Sequence, residues 1–405
     1  MSGGRLWTVL LVLPAFLVQF AGGKSAAYIA VWAVFLCGFI AHAFKGSIIN
    51  KSLSALFLVS ALFIAYQLRG DGFIYGGGWI DAMYTIPVLG AILFAATYPN
   101  VNGVLVFKFL VFGSSVIAAI CIYSHFVQAM PEWMFYPPYA GTRWVGGFDG
   151  PNEFSQFYAL MVGIALGLFM CGQIKAPTFL LASALCGACV WFGYSRGALM
   201  SLAITFVATA GVALVQARQW RVLSLFVLAC VISAPFFDDA LSVFTEIRRN
   251  SSGRDDLVLL ALSAFQSAPI VGGGFGYFNI ISTADTTTPH SDYLYFLVSG
   301  GIIAIASLIL AGGYILYLTY RRKMYVEFLF FVMMAAHALT FNNVVRGRVS
   351  IVLWVVLALV LAELVKGKRL GLQGQDAGSK VTFGWTGPRT VSPRGPRLKS
   401  RGGVD

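Results

Sequence analysis

The sequence predicts an all-α protein, a polytopic integral membrane helical bundle with roughly 12 transmembrane helices. Three observations predict this class. Hydrophobic residues make up 58% of the 405-residue sequence and charged residues only 11%, whereas soluble proteins are about 45–50% apolar and about 25% charged. Apolar runs of about 20 residues, the length that crosses a hydrocarbon core, recur along the chain. Lysine and arginine together accumulate in every second turn between these runs, as they do in the cytoplasmic turns of membrane proteins.

The apolar runs give the predicted helices in chain order. They lie at about 6–22, 26–44, 52–68, 80–98, 103–129, 152–172, 176–193, 197–216, 220–237, 291–320, 325–342 and 348–366. The fifth and tenth runs are long enough to tilt in the bilayer or to extend past it. Residues 1–22 resemble a signal peptide, but no polar mature domain follows them, so we expect a retained first helix.

Charge placement predicts the orientation, because lysine and arginine accumulate in cytoplasmic turns. With the N-terminus inside, the inward turns carry Lys45, Lys51, Lys175, Arg218, Arg221, Arg321, Arg322, Lys323, Lys366, Lys368 and Arg369. Both termini are then cytoplasmic. The long polar segment 238–290, which we expect to contain short helices, faces the periplasm or the cell exterior.

The basic residues on the predicted outer side are almost all arginines. They are Lys24, Arg69, Arg143, Arg196, Arg248, Arg249, Arg254, Arg346 and Arg348. Arginine offers a rigid fork of donors that suits bidentate recognition of phosphate. We therefore expect the outer face to hold an anion such as a diphosphate. The alternative is that these arginines only pair with outward acids such as Asp71, Glu132, Asp149, Glu153, Asp238, Asp239 and Asp255.

Two domains are predicted. Residues 1–366 form the transmembrane domain, which includes the outer loop 238–290. Residues 367–405 are rich in Gly, Pro, Ser, Lys and Arg, which predicts a disordered basic cytoplasmic tail that can touch anionic lipid headgroups. The six cysteines lie within or beside apolar runs, a placement typical of packing rather than of a disulfide framework.

Two outward motifs precede the long loop. In TRWVGGFDGPNEFSQFYA, residues 142–159, glycines and Pro151 make a turn into a helix, and Asn152 and Glu153 are placed to cap it. Arg143 at this turn could instead reach a ligand. In YSRGALMS, residues 194–201, Arg196 stands between two apolar runs, where an arginine is either an interfacial anchor or a functional cation.

Two more motifs lie in and after the long loop. In residues 250–278, Ser251 or Ser252 could cap a helix that has Arg254 in its first turn and an apolar face formed by Leu257, Leu260, Ala261, Ala264 and Phe265. The glycine run 272–276 resembles a phosphate-binding loop only loosely, since it lacks the Lys-Ser/Thr pair.

His290 precedes the next spanning helix, where its imidazole could accept a proton from a hydroxyl near neutral pH or simply cap the helix. The outer loops contain no HExxH, no histidine pair and no DxD-like pair, so we expect no catalytic metal.

The four motifs together resemble the O-antigen ligase and Wzy-type polymerase superfamily. The resemblance covers about residues 140 to 345 and is carried by RWVGGFDGPNEFSQF, SRGA at 195–198, SGR at 252–254 followed by an apolar helix, and the H-x-x-Y-L at 290–294. Each motif alone is weak. Their order, spacing and shared outward side are together more specific.

The resemblance implies a metal-independent, inverting glycosyltransferase without a cofactor, on the periplasmic side of a bacterial inner membrane. Its donor would be a glycan on a polyprenyl (undecaprenyl) diphosphate. Its acceptor would be a sugar hydroxyl of lipid A-core or of a growing polysaccharide, with membrane lipid around it and no nucleic acid. By motif, Arg196 and Arg254 would bind the diphosphate and His290 would act as base. The candidate substrate-binding residues are Arg143, Arg248, Arg249, Asn152 and Tyr293.

Three alternatives stay open. A ligase that transfers a finished glycan and a polymerase that extends an O-antigen or exopolysaccharide need the same donor site, so the motifs do not separate them, and we favour the ligase only slightly. A transporter or flippase for an anionic solute or lipid would place charges near the bilayer midplane and would often show an inverted repeat. In this sequence the midplane regions are nearly free of charge, the arginines lie at one face, and we find no internal repeat. A structural membrane scaffold is the last alternative.

Overall fold

The computed structural model describes residues 10–14, 16–20, 23–45, 51–69, 74–75, 78–97, 101–127, 144–148, 150–216, 254–282, 291–339 and 349–374. The chain divides into two compact units, Met1–Lys366 and Gly367–Asp405. The described residues of the second unit, 367–374, are helical.

The described residues fold into helices joined by turns, and they contain no strand. The helices are α1 (Gly23–Lys45), α2 (Lys51–Gln67), α3 (Gly78–Thr85), α4 (Pro87–Thr97), α5 (Gly103–Val127), α6 (Pro151–Met170), α7 (Ala176–Phe192), α8 (Arg196–Gln216), α9 (Arg254–Ser267), α10 (Tyr277–Ile281), α11 (Asp292–Arg321), α12 (Tyr325–Ala338) and α13 (Val349–Gly374). The predicted all-α class is therefore confirmed.

Several of these helices suit a bilayer by length and composition. Four described segments are long and apolar enough to cross one, namely Gly103–Ser124, Pro151–Met170, Arg196–Val215 and Asp292–Arg321, and shorter apolar helices accompany them. The predicted polytopic membrane protein is confirmed by this set. The predicted span at 220–237 lies outside the described residues, so the total of twelve stays a prediction.

Helix α6 forms the centre of the bundle and is buried along most of its length. Gly163 and Gly167 on one face allow α12 to approach, since a Cβ at these positions would meet Met333 and Val326 respectively. Small residues at such contacts are typical of helix pairs in membranes. At the other end of α6, the rings of Phe148, Phe154, Phe157 and Tyr158 pack edge to face or tilted against one another.

Helix α11 is interrupted at Gly301, whose φ of 63° and ψ of −159° are not helical. From Gly301 to Arg321 the helix rises about 30 Å at 1.5 Å per residue, so this part alone matches the hydrocarbon thickness. The interruption breaks the helical hydrogen-bond ladder. In a membrane, the backbone groups released in this way need other partners within the protein.

Those partners come from the segment between α9 and α10, residues 268–276, which we call the glycine loop. Gly273 N and Gly274 N donate to the carbonyls of Val298 and Ser299 at 2.9 and 2.8 Å. In the opposite direction, Ile302 N and Ile303 N donate to the carbonyls of Pro269 and Ile270 at 2.9 and 3.3 Å. In a regular helix, the N–H groups of residues 302 and 303 would donate to the carbonyls of residues 298 and 299. Here all four groups form hydrogen bonds with the loop instead.

Replacement of Tyr295 by phenylalanine is expected to destabilise the fold by about 2 kcal/mol, because a buried carboxyl loses a hydrogen-bond donor. Tyr295 OH donates to Asp81 Oδ2, which joins α11 to α3, and both side chains are buried. The matched control is Tyr293→Phe, which removes a 3.2 Å bond to a backbone carbonyl from a half-buried ring and should cost about 1 kcal/mol or less.

The measurement is the melting temperature of each purified variant in detergent. Tyr295→Phe should lower it more than Tyr293→Phe does. An equal effect of the two substitutions would show that the buried carboxyl is satisfied without Tyr295.

Candidate functional site

The described structure includes some of the candidate residues and not others. Arg196, Asn152 and Tyr293 are described with their side chains, and Arg254 is described by its backbone only. Arg143, Arg248, Arg249 and His290 lie outside the described residues. The helix ends that carry or adjoin these positions define the candidate site.

The start of α6 and the end of α7 meet at one end of the bundle. A Cβ at Gly193, directly after α7, would overlap Ser155 Oγ in the first turns of α6. Trp144 closes the contact, because its backbone N–H donates to Phe192 O at 3.1 Å and its ring stacks on Phe192 at 4.4 Å. Trp144 is thus held against the end of α7, just before the turn that leads to Arg196.

Arg196 is the first residue of α8 and is half-buried. The preceding turn includes Tyr194 at a positive φ of 48°, and Ser195 Oγ accepts the Ala198 N–H at 3.4 Å, as a capping serine does. No hydrogen bond or ion pair joins the Arg196 guanidinium to the described part of the chain. A cation beside a helix N-terminus is an arrangement that attracts an anion.

The start of α11 lies at the same end of the bundle. Helix α12 passes Gly167 at Val326 and Gly163 at Met333, so it runs toward the start of α6 and ends there. Ser291 Oγ then donates to Ala338 O at 3.1 Å, which fixes the residue before α11 to the end of α12. His290 is the sequence neighbour of Ser291.

Helix α9 brings the backbone of Arg254 to this end as well. Leu257, Ala261 and Ala264 are buried in one cluster with Leu294 and Val298, which belong to the part of α11 before its interruption. The residues after α9 bond to the interruption of α11, so the C-terminal end of α9 lies there. The N-terminal end of α9, at Arg254, therefore lies toward the start of α11. The predicted apolar face of α9 is confirmed for its three buried residues, and Arg254 begins the helix.

Tyr293 lies in the first turn of α11, beside these positions. Its hydroxyl donates to Ala335 O at 3.2 Å, and its ring is half-buried. The hydroxyl proton is therefore used within the protein. The exposed part of the ring remains the surface that a substrate could contact.

The N-cap of α6 is neither Asn152 nor Glu153, although Glu153 lies in the first turn as predicted. Gly150 is the N-cap of α6, and Pro151 follows it at the first helical position. Proline suits this position because its missing N–H would have no helical partner there. Asn152 is half-buried and Glu153 is buried in the first turn, where a carboxylate is favoured by the helix dipole.

The glycine loop does not cradle a phosphate through the amides of residues 272–275. Gly272 N donates to Ala268 O, and Phe275 N donates to Gln67 O, both at 2.9 Å. Gly273 N and Gly274 N are bonded to α11. All four N–H groups are thus used inside the protein, so the loose sequence resemblance to a phosphate loop reflects a different role.

Arg69 was grouped with the outward arginines by sequence, and its position in the fold is distinct. Its Nη2 donates to the carbonyls of Val271 and Gly272 at 2.8 and 2.7 Å. Its guanidinium also lies over the Tyr66 ring, with Cζ at 3.9 Å from the ring centroid. Sequence reasoning missed this contact, because no local pattern reports a partner about 200 residues away.

Comparison with known proteins gives a family match for part of the chain. Residues 181–309 match the family model described as O-Antigen ligase. The matched segment contains Arg196, Arg254, His290 and Tyr293, whereas Arg143 and Asn152 precede it. The resemblance to the O-antigen ligase and Wzy-type superfamily is thereby confirmed over this segment. No curated protein matches the sequence.

Proposed function

We propose that this protein is a glycosyltransferase of the O-antigen ligase type, which transfers a glycan from a polyprenyl diphosphate to a sugar hydroxyl at the outer face of a bacterial inner membrane. The observation that carries the proposal is the common position of three helix starts. One end of the bundle contains the start of α8 at Arg196, the start of α9 at Arg254 and the start of α11 beside His290. All three lie within the family match.

The chemistry requires stabilisation of a leaving diphosphate, which gains negative charge as its bond to the sugar breaks. Fixed guanidinium groups can stabilise that charge without reorganisation during the reaction. In the proposed site, the Arg196 and Arg254 guanidinium groups bind the diphosphate oxygens. Arginine suits this task because its donors match two phosphate oxygens at once.

The reaction then proceeds by one displacement. The acceptor hydroxyl oxygen attacks the anomeric carbon from the side opposite the diphosphate, and a new glycosidic bond forms as the carbon–oxygen bond to phosphate breaks. The diphosphate leaves with the electron pair and remains on the polyprenol. His290 accepts the hydroxyl proton, and the anomeric configuration inverts. No metal is required, because the arginines supply the positive charge.

The other parts of the proposal follow from the predicted topology. Arg143, Arg248, Arg249, Asn152 and Tyr293 would contact the donor or acceptor around the central arginines, and both termini would be cytoplasmic. Residues 367–405 would form a separate basic tail that touches lipid headgroups and takes no part in the chemistry.

A strain that lacks the gene distinguishes the possible activities. It is complemented with the wild-type protein or with His290→Ala, and both the glycan chain length and the attachment of the glycan are read. Long lipid-linked chains that fail to reach lipid A-core in the null and His290→Ala strains are expected for a ligase. Single repeat units would instead identify a polymerase, and unchanged glycan in the null strain would refute glycosyl transfer.

A further inference from the structure

We propose that Arg69 is a positioning residue, which holds the glycine loop in the interruption of α11 and so fixes α9 relative to the start of α11. This inference rests on the proposed function, because it concerns the placement of Arg254 and His290. It assigns Arg69 a role different from that of Arg196 and Arg254, which the proposed function places on the diphosphate.

Arg69 contacts the glycine loop directly. Both hydrogens of Arg69 Nη2 are directed at successive carbonyls, those of Val271 and Gly272. Such bonds from a charged donor are stronger than neutral ones. A second bond acts from the same segment, because Gln67 O accepts Phe275 N at 2.9 Å. Residues 67–69, at and just after the end of α2, therefore form hydrogen bonds with the loop at residues 271–272 and at residue 275.

The glycine loop in turn contacts α11 on both sides of its interruption. The loop bonds to residues 298 and 299 before Gly301 and to residues 302 and 303 after it. Loss of the loop from this position would leave four backbone groups of α11 unsatisfied, which is costly in a protein interior within a membrane. The bend of α11 and the place of the loop are therefore stabilised together, and Arg69 contributes to both.

The glycine loop is also joined to α9, the helix that begins at Arg254. Ser267 ends α9 immediately before the loop, and α9 packs through Leu257 and Ala261 against the first turns of α11. A shift of the loop moves α9, and with it Arg254, relative to Ser291 and the adjoining His290. Displacement of a reacting group by about 1 Å can cost on the order of 10²-fold in rate.

The test compares Arg69→Gln with Arg69→Met in purified protein. The glutamine amide is neutral but can donate to the carbonyls, whereas methionine fills similar space and donates nothing. In Arg69→Met, we expect hydrogen exchange of the amides at 272–275 and 302–303 to accelerate about tenfold or more, with helix α6 unchanged as the internal control. We expect kcat for glycan transfer to fall on the order of 10- to 100-fold. Arg69→Gln should lie between Arg69→Met and wild type in both measurements.

A diphosphate-binding role for Arg69 predicts a different pattern. Loop exchange would then match the wild type in Arg69→Met, affinity for undecaprenyl diphosphate would fall, and Arg69→Gln would be no better than Arg69→Met. That pattern would overturn the proposal, as would faster loop exchange with unchanged transfer.

If Arg69→Met yields no folded protein, Arg69→Gln and Arg69→Lys make the same distinction. A positioning role predicts that both retain transfer within a few-fold of each other, and an anion site predicts that only lysine does. Exchange is measured without any glycan, so failure of the glycosyltransferase proposal, seen as unchanged glycan in the null strain, is recognised separately.

Discussion

Arg254→Ala is expected to lower glycan transfer by about 10²–10³-fold, because loss of one fixed donor to a developing negative charge costs on the order of 3–4 kcal/mol. The protein should remain in the membrane at normal levels, since Arg254 is the first residue of α9 and the buried face of that helix begins at Leu257. Arg196→Ala should give a loss of the same order. The measurement is transfer by purified enzyme from a lipid-linked glycan.

Lysine variants and a distant arginine sharpen this prediction. Arg254→Lys and Arg196→Lys should restore little activity, because an ammonium group cannot form the two parallel bonds of a guanidinium. The matched control is Arg321→Ala, at the opposite end of α11, where the exposed guanidinium donates to Tyr317 OH. That variant should transfer normally. Near-normal activity of both lysine variants would contradict bidentate diphosphate binding.

Gly272→Ala is expected to destabilise the fold by about 3 kcal/mol, since strain at a left-handed position and overpacking each cost on the order of 1–3 kcal/mol. Gly272 has a φ of 64°, and a Cβ there would overlap backbone atoms of Ser299 and Gly300. Backbone atoms cannot move aside as a side-chain end can. The glycine loop should therefore leave the α11 interruption, and transfer should be lost together with stability.

Gly313→Ala is the control for this substitution in the same long helix. A Cβ at Gly313 meets nothing within 4 Å, and alanine favours a helix over glycine by about 1 kcal/mol. Its melting temperature should equal or exceed that of the wild type, whereas the melting temperature and folded yield of Gly272→Ala should fall. Wild-type values for Gly272→Ala would show that the loop is not held tightly against α11.

Most helices could be predicted from the sequence, because apolar runs of membrane length leave the backbone few other structures. The runs at 26–44, 103–129, 176–193 and 197–216 all correspond to observed helices within a few residues. Hydrophobic spacing likewise predicted the buried face of α9. The run at 80–98 differs, since it is divided between α3 and α4 at Pro87, which has no backbone N–H for a helical bond.

The candidate site was only partly predictable. Arg196 and Arg69 both follow an apolar run on the predicted outer side, and nothing local distinguishes them. In the fold, Arg196 begins a helix with no bonded partner among the described residues, whereas Arg69 is bonded to two carbonyls. Which arginine can meet a phosphate thus depends on where distant backbone groups lie.

The sequence by itself determined the class of this protein, the position of its helices and the motifs of its family, because hydrophobicity and residue type are local properties. Tertiary structure alone decided that the glycine loop fills the interruption of α11 and that Arg69 holds it there. These roles depend on backbone donors and acceptors, which every residue carries and which no sequence pattern assigns to partners. Only the packed bundle brings residues 67–69, 269–275 and 298–303 together and satisfies each of those pairs.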